Sequence, residues 1–142
     1  MFSKEASRKL REDFWISFGK SFPRKWILYN TRVKDFAFKF HFDTKMAMVS
    51  LDLDHHDLEK RIALWEKLLT LKSVLTEEYL PDAIFNDSYV LENQKEISRI
   101  YLVLEGVSIH NKESWQETMV FLNENMLQFE VFFEEFKDIL IS

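Results

Sequence analysis

The chain has 142 residues, about one domain's worth, and 46% of them are hydrophobic, enough to bury a sizeable core without disulfide or metal staples. With no Cys and only two Gly, it excludes thiol nucleophiles, Cys-ligated zinc and the glycine-rich loops that cradle phosphates. The net charge of −5 is unevenly spread: residues 1–45 carry 11 Lys/Arg against five Asp/Glu, a formal +6, and the remainder carries −11. Such a split marks an electrostatic docking face or two parts that complement each other.

The first periodic segment, residues 4–21, repeats Leu10, Phe14, Phe18 and Phe22 every fourth position, with Trp15 beside them. That spacing predicts an amphipathic helix, and Gly19 and Pro23 are its stop signals. Residues 23–34 read as a loop that mixes bases with aromatics. Over residues 35–42, Phe36, Phe38, Phe40 and Phe42 alternate with Asp35, Ala37, Lys39 and His41, the period of a strand. After the polar turn Asp43-Thr44-Lys45, Ala47, Val49, Leu51 and Leu53 alternate again, so the two strands read as a hairpin.

Asp54-His55-His56-Asp57 opens a long helix over about 55–79. Leu58, Ile62, Trp65 and Leu69 form one stripe on it, and Leu64, Leu68, Leu71 and Leu75 form a second, which predicts a broad buried face. Residues 83–91 and 97–104 are two further strands, split by the polar Glu92-Asn93-Gln94-Lys95, and Gly106 ends the second. The last helix, about 112–141, carries a heptad seam of Trp115, Met119, Leu122, Met126, Phe129, Phe133, Phe136 and Leu140. Val120, Phe121, Phe132 and Ile139 widen it, which suits packing on a sheet better than a free two-stranded coil, so Phe129, Phe133 and Phe136 are expected to be largely buried. Asn111 or Ser114 can cap this helix, and Ser114 to Glu117 fits a capping box. The order α-β-β-α-β-β-α predicts an α+β domain spanning 1–142, with a four-stranded, largely antiparallel sheet and long helices packed on it.

No apolar run approaches the roughly 18 residues of a membrane span, and Met1–Arg11 lacks the apolar core of a secretory signal. A soluble cytoplasmic protein that does not engage membranes is the expectation.

Taken together, several short motifs carry a resemblance. They are Phe14-Trp15 with Phe18-Gly19, Trp26-Ile27 with Tyr29, and Lys34-Asp35 leading into the Phe strand. Asp54-His55-His56-Asp57 with Arg61, Ser98-Arg99-Ile100-Tyr101, and Asn111-Lys112-Glu113 with Trp115 continue the series. In these the chain resembles a small bacterial family catalogued only as a domain of unknown function. That resemblance implies a protein that stands alone or sits C-terminal to nuclease-like domains, in a restriction-type setting. It implies no catalytic residue.

Asp52, Asp54, His55, His56 and Asp57 form the densest set of ligand-type side chains. They are the right types for a divalent metal, but Asp54 or Asp57 serves equally as a helix cap, and neighbouring histidines point apart. No metal and no cofactor is expected. A nuclease centre needs an acid followed by Asp/Glu-x-Lys, and neither Asp52-Leu53-Asp54 nor Glu92 to Glu96 supplies that order. No serine stands in a Gly-flanked elbow. The residues therefore lean away from an enzyme.

Arg99 lies among Ile97, Ile100, Tyr101 and Leu102, so its charge requires a partner. Asp52, Asp35 and Glu96 are the candidates, and an Arg99–Asp52 ion pair or an anion site at Arg99 is expected. Arg24, Lys25, Trp26, Tyr29, Arg32 and Lys34 combine bases with aromatics, the ingredients of backbone contact and base stacking. The bland alternative is a solvated loop whose aromatics pack on the core. Two functions follow. The first is an interaction domain that binds a protein partner or itself, as monomer or homodimer. The second is a nucleic-acid-associated accessory domain that uses the basic N-terminal part.

Overall fold

Alternation in the strands decides the architecture, because it places most of the large apolar side chains on one side, with Met48 and Ile97 buried on the other. The computed structural model describes residues 2–142. Its elements are α1 (Lys4–Ser21), β1 (Phe36–Phe42), β2 (Met46–Leu53), α2 (Leu58–Thr70), α3 (Lys72–Val74), β3 (Ile84–Val90), β4 (Glu96–Glu105) and α4 (Trp115–Ile141). A π-helical turn spans Leu75–Tyr79 and a 3-10 turn spans Lys112–Ser114. The strands pair antiparallel throughout, in the order β1-β2-β4-β3. The predicted α+β order and four-stranded sheet are therefore the observed ones.

The register aligns Phe38 with Leu51 and Leu51 with Ile100, then Ile100 with Phe85. Phe36, Phe42, Val49, Leu53 and Leu102 share that face and are buried. The long helices all reach it. α4 sets Phe129 5.7 Å from Phe38 and Phe133 5.5 Å from Phe36, ring centre to ring centre. α1 brings Phe14 to 4.6 Å from Phe42, and Trp65 of α2 stands 5.8 Å from Phe85. Edge-on and tilted ring contacts of this kind add to area burial.

The helix read over 55–79 is corrected in three respects. It starts at Leu58, because Asp57 caps it by accepting from the Glu59 and Lys60 backbone N–H groups. It is also not continuous. The Leu71 N–H bonds back only three residues, to Leu68, and after Val74 the chain widens until the Leu80 N–H meets the Leu75 carbonyl. That five-residue step lets Leu75 and Leu80 both be buried. Thirdly, the stripe of Leu58, Ile62 and Leu69 is exposed, and only its Trp65 is buried. Arg61 takes the inward position instead and binds Glu96, through Nη1 to the backbone carbonyl and Nη2 to the carboxylate.

α4 follows its seam. Trp115, Met119, Leu122, Met126, Phe129, Phe133 and Leu140 are buried, with Phe132 alongside, whereas Phe136 is only half-buried. The Ser114 to Glu117 capping box does not form. The Asn111 side chain caps the preceding 3-10 turn by accepting from the Glu113 N–H, while the Ser114 hydroxyl turns back to the Ser108 and Asn111 carbonyls. Among the described residues no helix is long and apolar enough to cross a membrane.

Candidate functional site

Between α1 and β1 the chain makes an irregular passage in which Leu28, Arg32 and Asp35 all have positive φ (46°, 63° and 58°). Side-chain-bearing residues adopt that region at a cost, and such clustering points to a loop held by its surroundings. The fastenings are visible. The Thr31 hydroxyl donates to the Phe36 carbonyl at 2.7 Å, the Phe38 N–H to the Leu28 carbonyl, and the Asp54 N–H to the Asp35 carbonyl. On the α4 side the Ile27 N–H donates to the Glu130 carboxylate at 2.7 Å.

This frame divides the basic-aromatic residues into two groups. Arg24 pairs with the buried Glu130 at 2.7 Å and lies 4.3 Å from the centre of the Trp26 ring. Trp26 in turn packs on Phe40 and Phe18. Both are engaged within the fold. Lys25, Tyr29, Arg32 and Lys34 are exposed. Tyr29, 72% exposed, is the most solvent-accessible large hydrophobic side chain of the loop. With Arg32 it stands between two clefts. One, of about 600 Å³, is lined also by Lys25 and Asn30; the other, of about 500 Å³, by Lys34, Lys39, Asp52 and Asp54.

Lys39 belongs to no motif of the sequence, yet it is part of this surface, and its place on the polar side of the Phe strand is the signal for it. Its ammonium lies 3.4 Å from Asp52, which is 1% exposed. Asp52 also accepts from Arg99, at 2.8 Å from Nε and 2.9 Å from Nη2. Burial alone would lower the Arg99 pKa, but the hydrogen bond and charge of Asp52 outweigh it, so the guanidinium is held above its ordinary value. The other candidate acids go elsewhere: Glu96 to Arg61, and Asp35 to within 3.7 Å of His55. Tyr89, also outside the sequence reading, covers the Arg99 guanidinium at 4.3 Å. An irregularity in β3 between Asn86 and Tyr89 re-aims it there.

The Asp-His-His-Asp cluster separates on folding. Asp57 caps α2, Asp54 lies 3.5 Å from Lys95, and Asp52 belongs to Arg99. His55 and His56, whose rings lie 4.9 Å apart, instead gather with Asp35, with one ligand atom from each within 4.8 Å of the others. The geometry of His55 opposes a metal. Its Nδ1 accepts the Asp57 backbone N–H at 3.0 Å, so the neutral ring carries its proton on Nε2, the nitrogen that faces Asp35. That nitrogen bears a hydrogen in this tautomer and has no lone pair for an ion. The Asp35 Oδ2 it faces is buried without a hydrogen-bond partner among the described residues.

Comparison with known proteins adds one finding. The model of a family described as a domain of unknown function (DUF4268) matches residues 10–137. No curated protein and no solved structure matches the chain.

Proposed function

We propose that this chain, which belongs to the DUF4268 family of unknown function, is a non-catalytic binding domain that contacts a nucleic-acid strand through its basic loop. The observation that carries the reading is Tyr29. An exposed ring, held on a strained and well-fastened loop and flanked by Lys25, Arg32, Lys34 and Lys39, offers a stacking surface with cations on either side for phosphates. On α4 the exposed Glu117, Glu124 and Asp138 repel phosphate, and Glu134 and Glu135, which share a cleft with Arg24 and Lys25, bound the basic surface on that side. A setting beside nuclease-like domains in a bacterial family, which the motif resemblance implies, supports the same reading. Residues 1–142 act in it as one domain.

The test is fluorescence anisotropy with labelled single- and double-stranded oligonucleotides at low salt. Binding should favour single strands, and log affinity should fall by about 0.7 per phosphate contacted for each tenfold rise in salt. Tyr29→Ala should weaken it by about 1–3 kcal/mol. Lys25→Glu with Arg32→Glu should abolish it, and Lys112→Glu should change little. Arg24 is a poor probe, because its reversal also breaks the Glu130 pair. Absence of binding at tens of micromolar protein overturns the proposal.

One observation favours a second reading, a domain that binds a protein partner or a second copy of itself. Leu58, Ile62 and Leu69, 54%, 46% and 43% exposed, line the outer side of α2 with no cover among the described residues. Light scattering of the wild type and of Ile62→Glu separates a self-associating face from a monomer.

A further inference from the structure

The helices occupy one face of the sheet, and the other is roofed in part by the tip of the β3–β4 hairpin. We infer that the cleft beneath this tip, about 250 Å³ in volume, binds a small carboxylic acid with an apolar body.

Arg99 is the anchor. It is 9% exposed, and one edge of its guanidinium, Nε with Nη2, is taken by Asp52. On the other edge Nη1 meets the Met48 sulfur at 3.5 Å, with the Tyr89 side chain beside the guanidinium. A thioether is a weak acceptor, whereas a guanidinium carries five donors in a planar fork that fits a carboxylate on either edge. Asp52 faces both Arg99 and Lys39, so a formal single positive charge remains at the floor. Two acids lie on the rim, Asp43, which is occupied by His41 and by the Lys45 and Met46 N–H groups, and Glu92, exposed at the mouth. The cleft as a whole therefore holds no surplus positive charge: recognition rests on the Arg99 fork at the floor, and the rim acids disfavour a polyphosphate. Met46 and Met48 line one side, Val90 and Leu91 the other, and methionine adapts to an irregular apolar body. The volume falls just under the roughly 300–1,000 Å³ usual for drug-sized ligands, so the occupant is smaller than a nucleotide. Lys39 and Asp52 are shared with the loop surface.

The experiment is a titration of the full chain followed by two-dimensional amide NMR, with benzoate as probe and benzamide as its uncharged match. Benzoate should shift the Met46–Asp52 and Tyr89–Glu92 amides saturably in the millimolar range, and benzamide should leave them in place. Arg99→Lys keeps the charge but removes the fork, and should weaken benzoate about tenfold. Because that site is buried, Val90→Trp is the second arm: it fills the cleft from an exposed position and should abolish binding with an unchanged melt. Tyr29→Ala should leave benzoate binding intact, which separates this site from the nucleic-acid reading. Equal shifts by benzoate and benzamide, no saturable shift, or full binding by Val90→Trp overturns the inference.

Discussion

At the scale of single residues, Asp52 carries the most consequence. Buried to 99%, it compensates Arg99 and faces Lys39. Removing one member of a buried ion pair strands the other charge in a poorly solvated site, at a cost of about 3–5 kcal/mol. Asp52→Ala should lose that much by urea unfolding, and Asp52→Leu with Arg99→Met should recover most of it. If the single and double variants are equally unstable, the deficit comes from packing and not from the stranded charge. That Arg99 needs a partner is legible from its apolar neighbours in the strand. Which acid it takes is not, because Asp35, Asp52 and Glu96 are equivalent until the register sets Asp52 directly opposite Arg99. Likewise the loop residues all look alike in sequence, and only Glu130, more than a hundred positions away, sets Arg24 apart from Lys25.

At the scale of elements, the β1–β2 turn is organised by Asp43, whose carboxylate accepts from the Lys45 and Met46 N–H groups and from His41. Partial burial would raise its pKa, but these bonds outweigh burial and hold it below the ordinary 3.8. A carboxyl depressed by folding contributes stability above its unfolded pKa, and loses that contribution as pH falls through the lower folded value. Asp43→Asn keeps an oxygen acceptor and deletes the charge. The wild type should therefore be the more stable at neutral pH, and its advantage should shrink below pH 3.8 and vanish under stronger acid. Denaturant melts at stepped pH read this; a difference constant through the acid range excludes the charge as the cause. In α4, Phe133 is 3% exposed between Phe36 and Phe38, so Phe133→Ala should cost about 3–5 kcal/mol. Dissociation of a dimer by this variant, seen in light scattering, would relocate the residue to an interface. The Phe run of β1 and the seam of α4 are legible because period two and period seven persist over many residues. The π turn at Leu75–Tyr79 and the irregularity before Tyr89 are not, since each displaces the pattern by a residue or two within one short segment.

At the scale of the whole molecule, the charge split is partly resolved inside the fold. Arg24 reaches Glu130 from the N-terminal part to α4, and Lys39 reaches Asp52 across the hairpin, while Lys25, Arg32 and Lys34 stay exposed. The core is built from one sheet face and the long helices, with fully buried side chains such as Phe14, Phe38, Leu51 and Phe129 contributed by separate elements. An apolar core of that extent supplies the driving force that small domains otherwise draw from a structural metal. The one gathering of metal-type ligands among the described residues, Asp35 with His55 and His56, is opposed by the proton that the Asp57 N–H bond places on His55 Nε2. The melting temperature should therefore be the same with and without EDTA, and His55→Ala should lower it only slightly, through a lost turn contact. Differential scanning calorimetry in metal-free buffer is the measurement. A drop on chelation that a single divalent ion restores, and that His55→Ala abolishes, would mean that the ring gives up the Asp57 bond and turns a lone pair to an ion beside Asp35. The core alone would then not be what holds the loop before β1 against the start of α2.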